Sequence, residues 1–164
     1  MNRLAAPLGP EVIAKLLPHR PPLLLVDEVR ALHGPPRSEL VASFAVRADH
    51  PVLAGHFPGR PIWPGALTIE GLAQAANLLG VLLPRVPERG PLELDAALED
   101  PREPELGGLL AAVDVKLLQV VEPGAQLDYR VRLVGEYGGL RRVEVSAGVG
   151  RREVARGSIA VVLV

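Results

Sequence analysis

The longest apolar stretch of the chain, Ala66 to Leu83, is hydrophobic around most of a helix's circumference. Glu70, Gln74 and Asn77 interrupt it at i, i+4 and i+7, which aligns them as one polar stripe on an otherwise apolar cylinder. Such a segment either spans a membrane or forms the centre of a core. No basic cluster flanks it and strand-type sequence lies on both sides, so the pattern predicts a central helix wrapped by an antiparallel sheet. Upstream, Pro10 to Leu17 reads as a short helix, with Pro10 near its start and Pro18 at its end. Leu23 to Val29 reads as a buried strand and Glu39 to Val46 as the next, joined through the turn-forming Gly34-Pro35-Pro36. From Leu109 onward the period changes to two. Leu127, Tyr129, Val131 and Leu133 alternate with Asp128, Arg130 and Arg132, and Gly138-Gly139 and Gly150 mark turns into Leu140–Val149 and Glu153–Val164. Two strands, one long helix and about four further strands make an α+β chain, expected to be a single domain over residues 1–164.

Residues 84–108 interrupt this pattern. Prolines at 84, 87, 91, 101 and 104 forbid a long helix there, although Leu92 to Glu99 could form a short one. The strands on either side need each other to complete a sheet, so this Pro-rich stretch is expected to be an insertion within one domain.

Composition narrows the chemistry. The 164 residues are 48% hydrophobic with a formal net charge of −1, which gives no reason to expect nucleic acid or an anionic membrane surface as partner. The chain contains no cysteine, which removes disulfides, thiolate catalysis and Cys-ligated metals from consideration. No histidine pair has the spacing of a metal-binding motif. The first residues lack the apolar run of a signal peptide, and a cytoplasmic protein is expected.

The candidate chemistry lies where the Gly/Pro-rich loop Gly55-His56-Phe57-Pro58-Gly59-Arg60-Pro61-Ile62-Trp63-Pro64-Gly65 runs into the apolar helix. His56 is an imidazole in a rigid loop, able to act as a base near neutral pH. Glu70 is a carboxylate on a buried helix, where desolvation is expected to raise its pKa and suit it to general-acid work. A structural carboxylate that meets an arginine or caps local backbone is the competing reading of the same residue. Gly65 begins the helix after a proline and offers an unobstructed N–H at the positive end of the helix dipole. Base, acid and oxyanion donor together describe proton abstraction α to a thioester carbonyl, followed by loss of a β-hydroxyl. His33 and His50 are assigned no role.

The run His56-Phe57-Pro58-Gly59-Arg60-Pro61-Ile62-x-Pro64-Gly65-x-Leu67-x-x-Glu70-x-x-Ala73-Gln74 resembles the (3R)-hydroxyacyl-[acyl-carrier-protein] dehydratases of fatty-acid synthesis. Leu17-Pro18-His19-Arg20-x-Pro22-x-Leu24-Leu25-Val26-Asp27 is similar to the family's N-terminal signature, and Val113-Asp114-x-Lys116 and Pro123-Gly124-x-Gln126-Leu127 to its later strands. The resemblance implies the hot-dog fold and a hydro-lyase without metal or cofactor. It implies His56 as the base at C2, Glu70 as the proton donor to the 3-hydroxyl, and the Gly65 amide as the oxyanion donor. Phe57, Pro64 and Gln74 are the further expected substrate contacts. An acyl-carrier-protein or coenzyme A thioester is the implied substrate. A homodimer that brings the histidine of one subunit to the acid of the other is the implied assembly, with a trimer of dimers common among relatives. Pro21, Leu118-Gln119 and Ala125 depart from the family pattern at positions that bear on carrier docking and chain preference. A thioesterase on the same fold, or a non-catalytic acyl-thioester-binding or assembly subunit, are the alternatives open at this point.

Overall fold

The computed structural model describes residues 1–92, 94 and 108–162. The chain forms α1 (Pro10–Leu16), β1 (Glu28–His33), β2 (Glu39–Ala45), α2 (Gly65–Leu82), β3 (Leu109–Leu117), β4 (Gln126–Tyr137), β5 (Leu140–Val149) and β6 (Arg152–Val162), with short 3-10 turns at Pro51–Ala54 and Leu83–Arg85. The six strands make one sheet in the order β1-β2-β4-β5-β6-β3, every neighbouring pair antiparallel. α2 packs across β2, β4, β5 and β6, so the predicted long helix enclosed by an antiparallel sheet is the observed arrangement.

Alternation along β4 shows how the sheet holds the helix. Leu127, Tyr129 and Val131 point inward and are fully buried, while Arg130 and Arg132 lie on the outer face. There Arg130 donates to Glu39 at 2.7 Å, and Arg30 from β1 donates to Asp128 at 2.7 Å. By length and composition the segment Gly65–Arg85 could cross a membrane, yet 56% of its apolar window is buried inside the fold. The sheet supplies the apolar surroundings that such a helix requires in water.

Two expectations shift. The strand placed at Leu23–Val29 begins only at Glu28, because the preceding residues bond elsewhere: Leu25 N–H donates to the side chain of Gln74 at 2.8 Å, and the Leu23 carbonyl accepts from it at 2.7 Å. The last strand starts at Arg152 rather than Glu153 and runs to Val162, the last described residue. The short helix considered at Leu92–Glu99 and most of the Pro-rich insertion lie outside the described residues. At its edge, Leu92 N–H donates to the Arg3 carbonyl at 2.6 Å.

Tyr129 fixes how close α2 comes to the sheet. It is fully buried, burial pushes its phenol pKa up, and its hydroxyl has no hydrogen-bond partner among the described residues. The phenol lies over Gly71, where a Cβ would overlap the hydroxyl. Gly71→Ala is therefore expected to destabilise the fold by about 1–3 kcal/mol, the usual cost of overpacking. Tyr129→Phe removes a buried hydroxyl that bonds to nothing and is expected to leave stability unchanged or raise it. Thermal unfolding of the two variants checks both signs.

Candidate active site

The loop that carries His56 is closed on itself. His56 and Ile62 exchange backbone contact through Ile62 N–H to His56 carbonyl at 2.8 Å, while Phe57 and Arg60 bond each other across the Pro58-Gly59 turn at 3.1 and 3.0 Å. Proline followed by glycine suits the two central positions of such a turn. The His56 ring is held as firmly as its backbone. Its Nδ1 lies 2.9 Å from the Ile62 carbonyl oxygen. That oxygen can only accept, so Nδ1 carries a proton, and in the neutral ring Nε2 keeps a bare lone pair. Phe57 stacks on the imidazole with ring centroids 4.2 Å apart and is otherwise exposed.

His56 lines a cavity of about 300 Å3 with Ile62, Trp63, Gly65, Thr68 and the stretch from Leu117 to Val121. The walls are mainly apolar, as an acyl chain requires. Pro64 is the N-cap residue of α2, and Gly65 opens the helix on the cavity wall. A Cβ at Gly65 would overlap the end of the Leu117 side chain, so β3 comes close to the helix start there. Among the described residues nothing accepts the Gly65 N–H, which stands at the positive end of an eighteen-residue helix. Trp63 packs against Phe44 and His50 with centroids 5.5 and 4.9 Å away, and its indole N–H finds no acceptor among the described residues. His50 is a structural residue: it accepts Val52 N–H at 3.3 Å and contacts the Pro22 carbonyl at 3.1 Å.

Glu70 is absent from this cavity's lining. Helix geometry explains why: five residues after Gly65 correspond to about 140° of rotation around α2. The carboxylate instead faces the segment after α1. His19 Nε2 lies 3.3 Å from Oε1, and Gln74 Nε2–H donates to the same oxygen at 2.9 Å. The expectation that burial raises the Glu70 pKa is overturned. The hydrogen bond from His19 lowers it most; burial pulls upward, but the hydrogen bond from Gln74 adds to the lowering, and the net is a carboxyl below its ordinary value.

Gln74 also departs from its expected place as a substrate contact. Its side chain is fully buried, with Oε1 accepting from Leu25 N–H and Nε2 donating to the Leu23 carbonyl and to Glu70. It stands behind Glu70. Asn77, third in the polar stripe, donates to the Gly108 carbonyl at 3.1 Å and anchors the start of β3. The structure thus brings together His56, Phe57, Pro64 and Gly65 on one side of the helix start and Glu70 with Gln74 on another. His19, beside Glu70, and Trp63, on the wall of the His56 cavity, join these groups without local chemistry in the sequence that marks them. The Leu17-Pro18-His19-Arg20 signature was the available signal for the first.

Comparison with known proteins gives the same picture. A FabA-like domain matches residues 17–158. The chain is 36% identical over 155 residues to the 3-hydroxyacyl-[acyl-carrier-protein] dehydratase FabZ of Anaeromyxobacter sp., covering 94% of this chain and 89% of that protein. It is 38% identical over 160 residues to the FabZ of Chlamydia trachomatis serovar L2, covering 96% and 93%. Among solved structures, the dehydratase heterocomplex ApeI:P from Xenorhabdus doucetiae superposes with a TM-score of 0.67 at 18% identity, covering 93% of this chain and 90% of that one. The fluoroacetyl-CoA thioesterase FlK superposes at 0.53 with 17% identity, covering 77% and 84%, a likeness of fold alone. With the helix-in-sheet architecture and the His56/Gly65 loop in place, these matches establish that the chain belongs to the FabA-like family.

Proposed function

We infer that this protein is a hydro-lyase that converts 3-hydroxyacyl thioesters on acyl-carrier protein to trans-2-enoyl thioesters in fatty-acid biosynthesis, acting in the cytoplasm. The observation that carries this reading is the bare Nε2 of His56, fixed by the Ile62 carbonyl in an apolar cavity beside the Gly65 N–H. His56 Nε2 takes the C2 proton. Charge developing on the thioester oxygen is met by the Gly65 N–H and the helix dipole. The C2 electron pair forms the C2=C3 double bond as the C3–O bond breaks, and Glu70 gives its proton to the departing hydroxyl, which leaves as water. Transfer of the proton from His56 back to Glu70 restores the starting state. In the free protein Glu70 is a carboxylate; as substrate encloses it and strips its water, its pKa rises and it takes up one proton from solvent, so the bound complex starts with Glu70 protonated and His56 neutral.

A site that uses both the His56 cavity and Glu70 is completed by a second copy of the chain. The rotation of Glu70 away from Gly65 supports this, and so does β3. That strand ends the sheet, and its Leu109, Leu110, Val113 and Leu117 are exposed. An apolar edge strand of nine residues invites pairing. We assign it to a homodimer in which one subunit's histidine faces the other's acid.

His56→Ala and Glu70→Gln are each expected to lower kcat by about 10²- to 10⁴-fold, the range of general acid–base catalysis, while leaving the dimer intact. Mass spectrometry of 3-hydroxybutyryl and 3-hydroxydecanoyl thioesters, on acyl-carrier protein and on coenzyme A, reads enoyl formation. Full activity in either variant overturns the assignment, and release of free acid marks a thioesterase instead. Val113→Lys on the β3 edge is expected to convert dimer to monomer and abolish turnover together, as read by sedimentation and assay. A fully active monomer removes the shared-site reading.

A further inference from the structure

The acid has a second histidine of its own. We propose that His19 is a positioning residue for Glu70: its Nε2–H and the Gln74 amide together occupy Oε1, leaving Oε2 as the oxygen that carries the proton to the substrate's leaving hydroxyl. This rests on the reading of Glu70 as the general acid.

Three observations converge on it. His19 Nε2 lies 3.3 Å from Glu70 Oε1, the oxygen that also accepts from Gln74 at 2.9 Å, and no donor reaches Oε2 among the described residues. His19 Nδ1 is buried and has no hydrogen-bond partner among the described residues. A proton there would be a buried donor lacking an acceptor, which is costly, so the ring is the neutral Nε2–H tautomer and donates to the carboxylate. The backbone at His19 is braced as well. Arg20 donates to the Leu17 and His19 carbonyls at 2.8 and 2.7 Å, and Leu23 and Leu24 N–H groups both return to the Arg20 carbonyl, at 2.9 and 3.0 Å. The loop is therefore built to present one imidazole edge at a fixed place.

A carboxyl with one oxygen held by two N–H donors takes up its proton on the other oxygen. That orientation matters because an acid delivers a proton only within hydrogen-bond reach of the leaving group. A carboxyl free to rotate would offer either oxygen, in geometries that miss the 3-hydroxyl. The groups facing Glu70 are His19 from the segment after α1 and Gln74 from its own helix, joined in the proposed dimer by His56 of the partner subunit.

The test combines NMR with kinetics on the intact protein. In the wild type, 15N shifts are expected to report His19 as the neutral Nε2–H tautomer at pH 7; an Nδ1–H tautomer or an imidazolium overturns the proposal whatever the variants do. In His19→Leu, the Glu70 carboxyl 13C signal is expected to titrate at higher pH, since the group that lowers it most is gone. In the same variant kcat falls roughly ten- to a hundredfold with KM within about twofold, the scale of a misplaced catalytic group. His19→Gln, whose amide N–H can reach the place of Nε2, is expected to recover most of kcat and of the low titration. Unchanged titration and kcat in His19→Leu overturn the proposal. So do equal losses in His19→Leu and His19→Gln with the Glu70 titration unmoved, which mark a scaffold residue. If His19→Leu does not fold, the wild-type tautomer and the His19→Gln titration decide. Glu70→Gln separates the two levels: full activity there removes the acid assignment itself, whereas an inactive Glu70→Gln beside an unaltered His19→Leu removes only the role of His19.

Discussion

A primary amide enclosed in a hydrophobic core is tolerable only if every polar atom finds a partner, and Gln74 meets that condition in a way that organises the protein. Its oxygen accepts from Leu25, and its nitrogen serves the Leu23 carbonyl and Glu70. These bonds tie the segment between α1 and β1 to the middle of α2. The segment thereby keeps His19 at the carboxylate, and β1 begins only after the tie is made. Loss of this one side chain would leave the Leu25 N–H and the Leu23 carbonyl unmatched and take one of its two donors from Glu70 Oε1 at the same time.

Much of the architecture was readable from periodicity. The long helix agreed to within a residue at each end, β5 matched at both ends, and the loop from Gly55 to Gly65 pointed to His56 and Gly65 from local chemistry alone. What could not be read were interactions set by distant partners. Leu23–Asp27 has the composition of a strand, yet its backbone answers to a side chain 49 residues onward from Leu25. The sign of the Glu70 shift depended on an imidazole 51 positions earlier, which no spacing rule connects to it. Gln74 lay correctly on the polar stripe, but a stripe tells only which residues share a face. It does not say whether that face meets substrate or another part of the chain.

The helix itself imposes a division of labour. Its first residue contributes a backbone donor and the dipole at one side, and the carboxylate emerges more than a turn later on another. A histidine loop can approach only the first of these within the same chain. The division is a consequence of helical pitch, and the dimer proposed above gives the exposed β3 edge a purpose that stability of a lone subunit would not supply. An apolar edge is a hazard for a monomer and an asset for a chain that pairs with its own copy.

Trp63 is the sole tryptophan of the chain, and it is almost wholly buried on the wall of the His56 cavity with Phe44 and His50 against it. Indole emission responds to local polarity and to nearby imidazole charge. The protein therefore carries a built-in optical probe at the place where an acyl chain would displace solvent, with no second indole to obscure it. Occupancy of the cavity can be followed in the unlabelled, unmodified protein, whether or not the bound thioester is turned over.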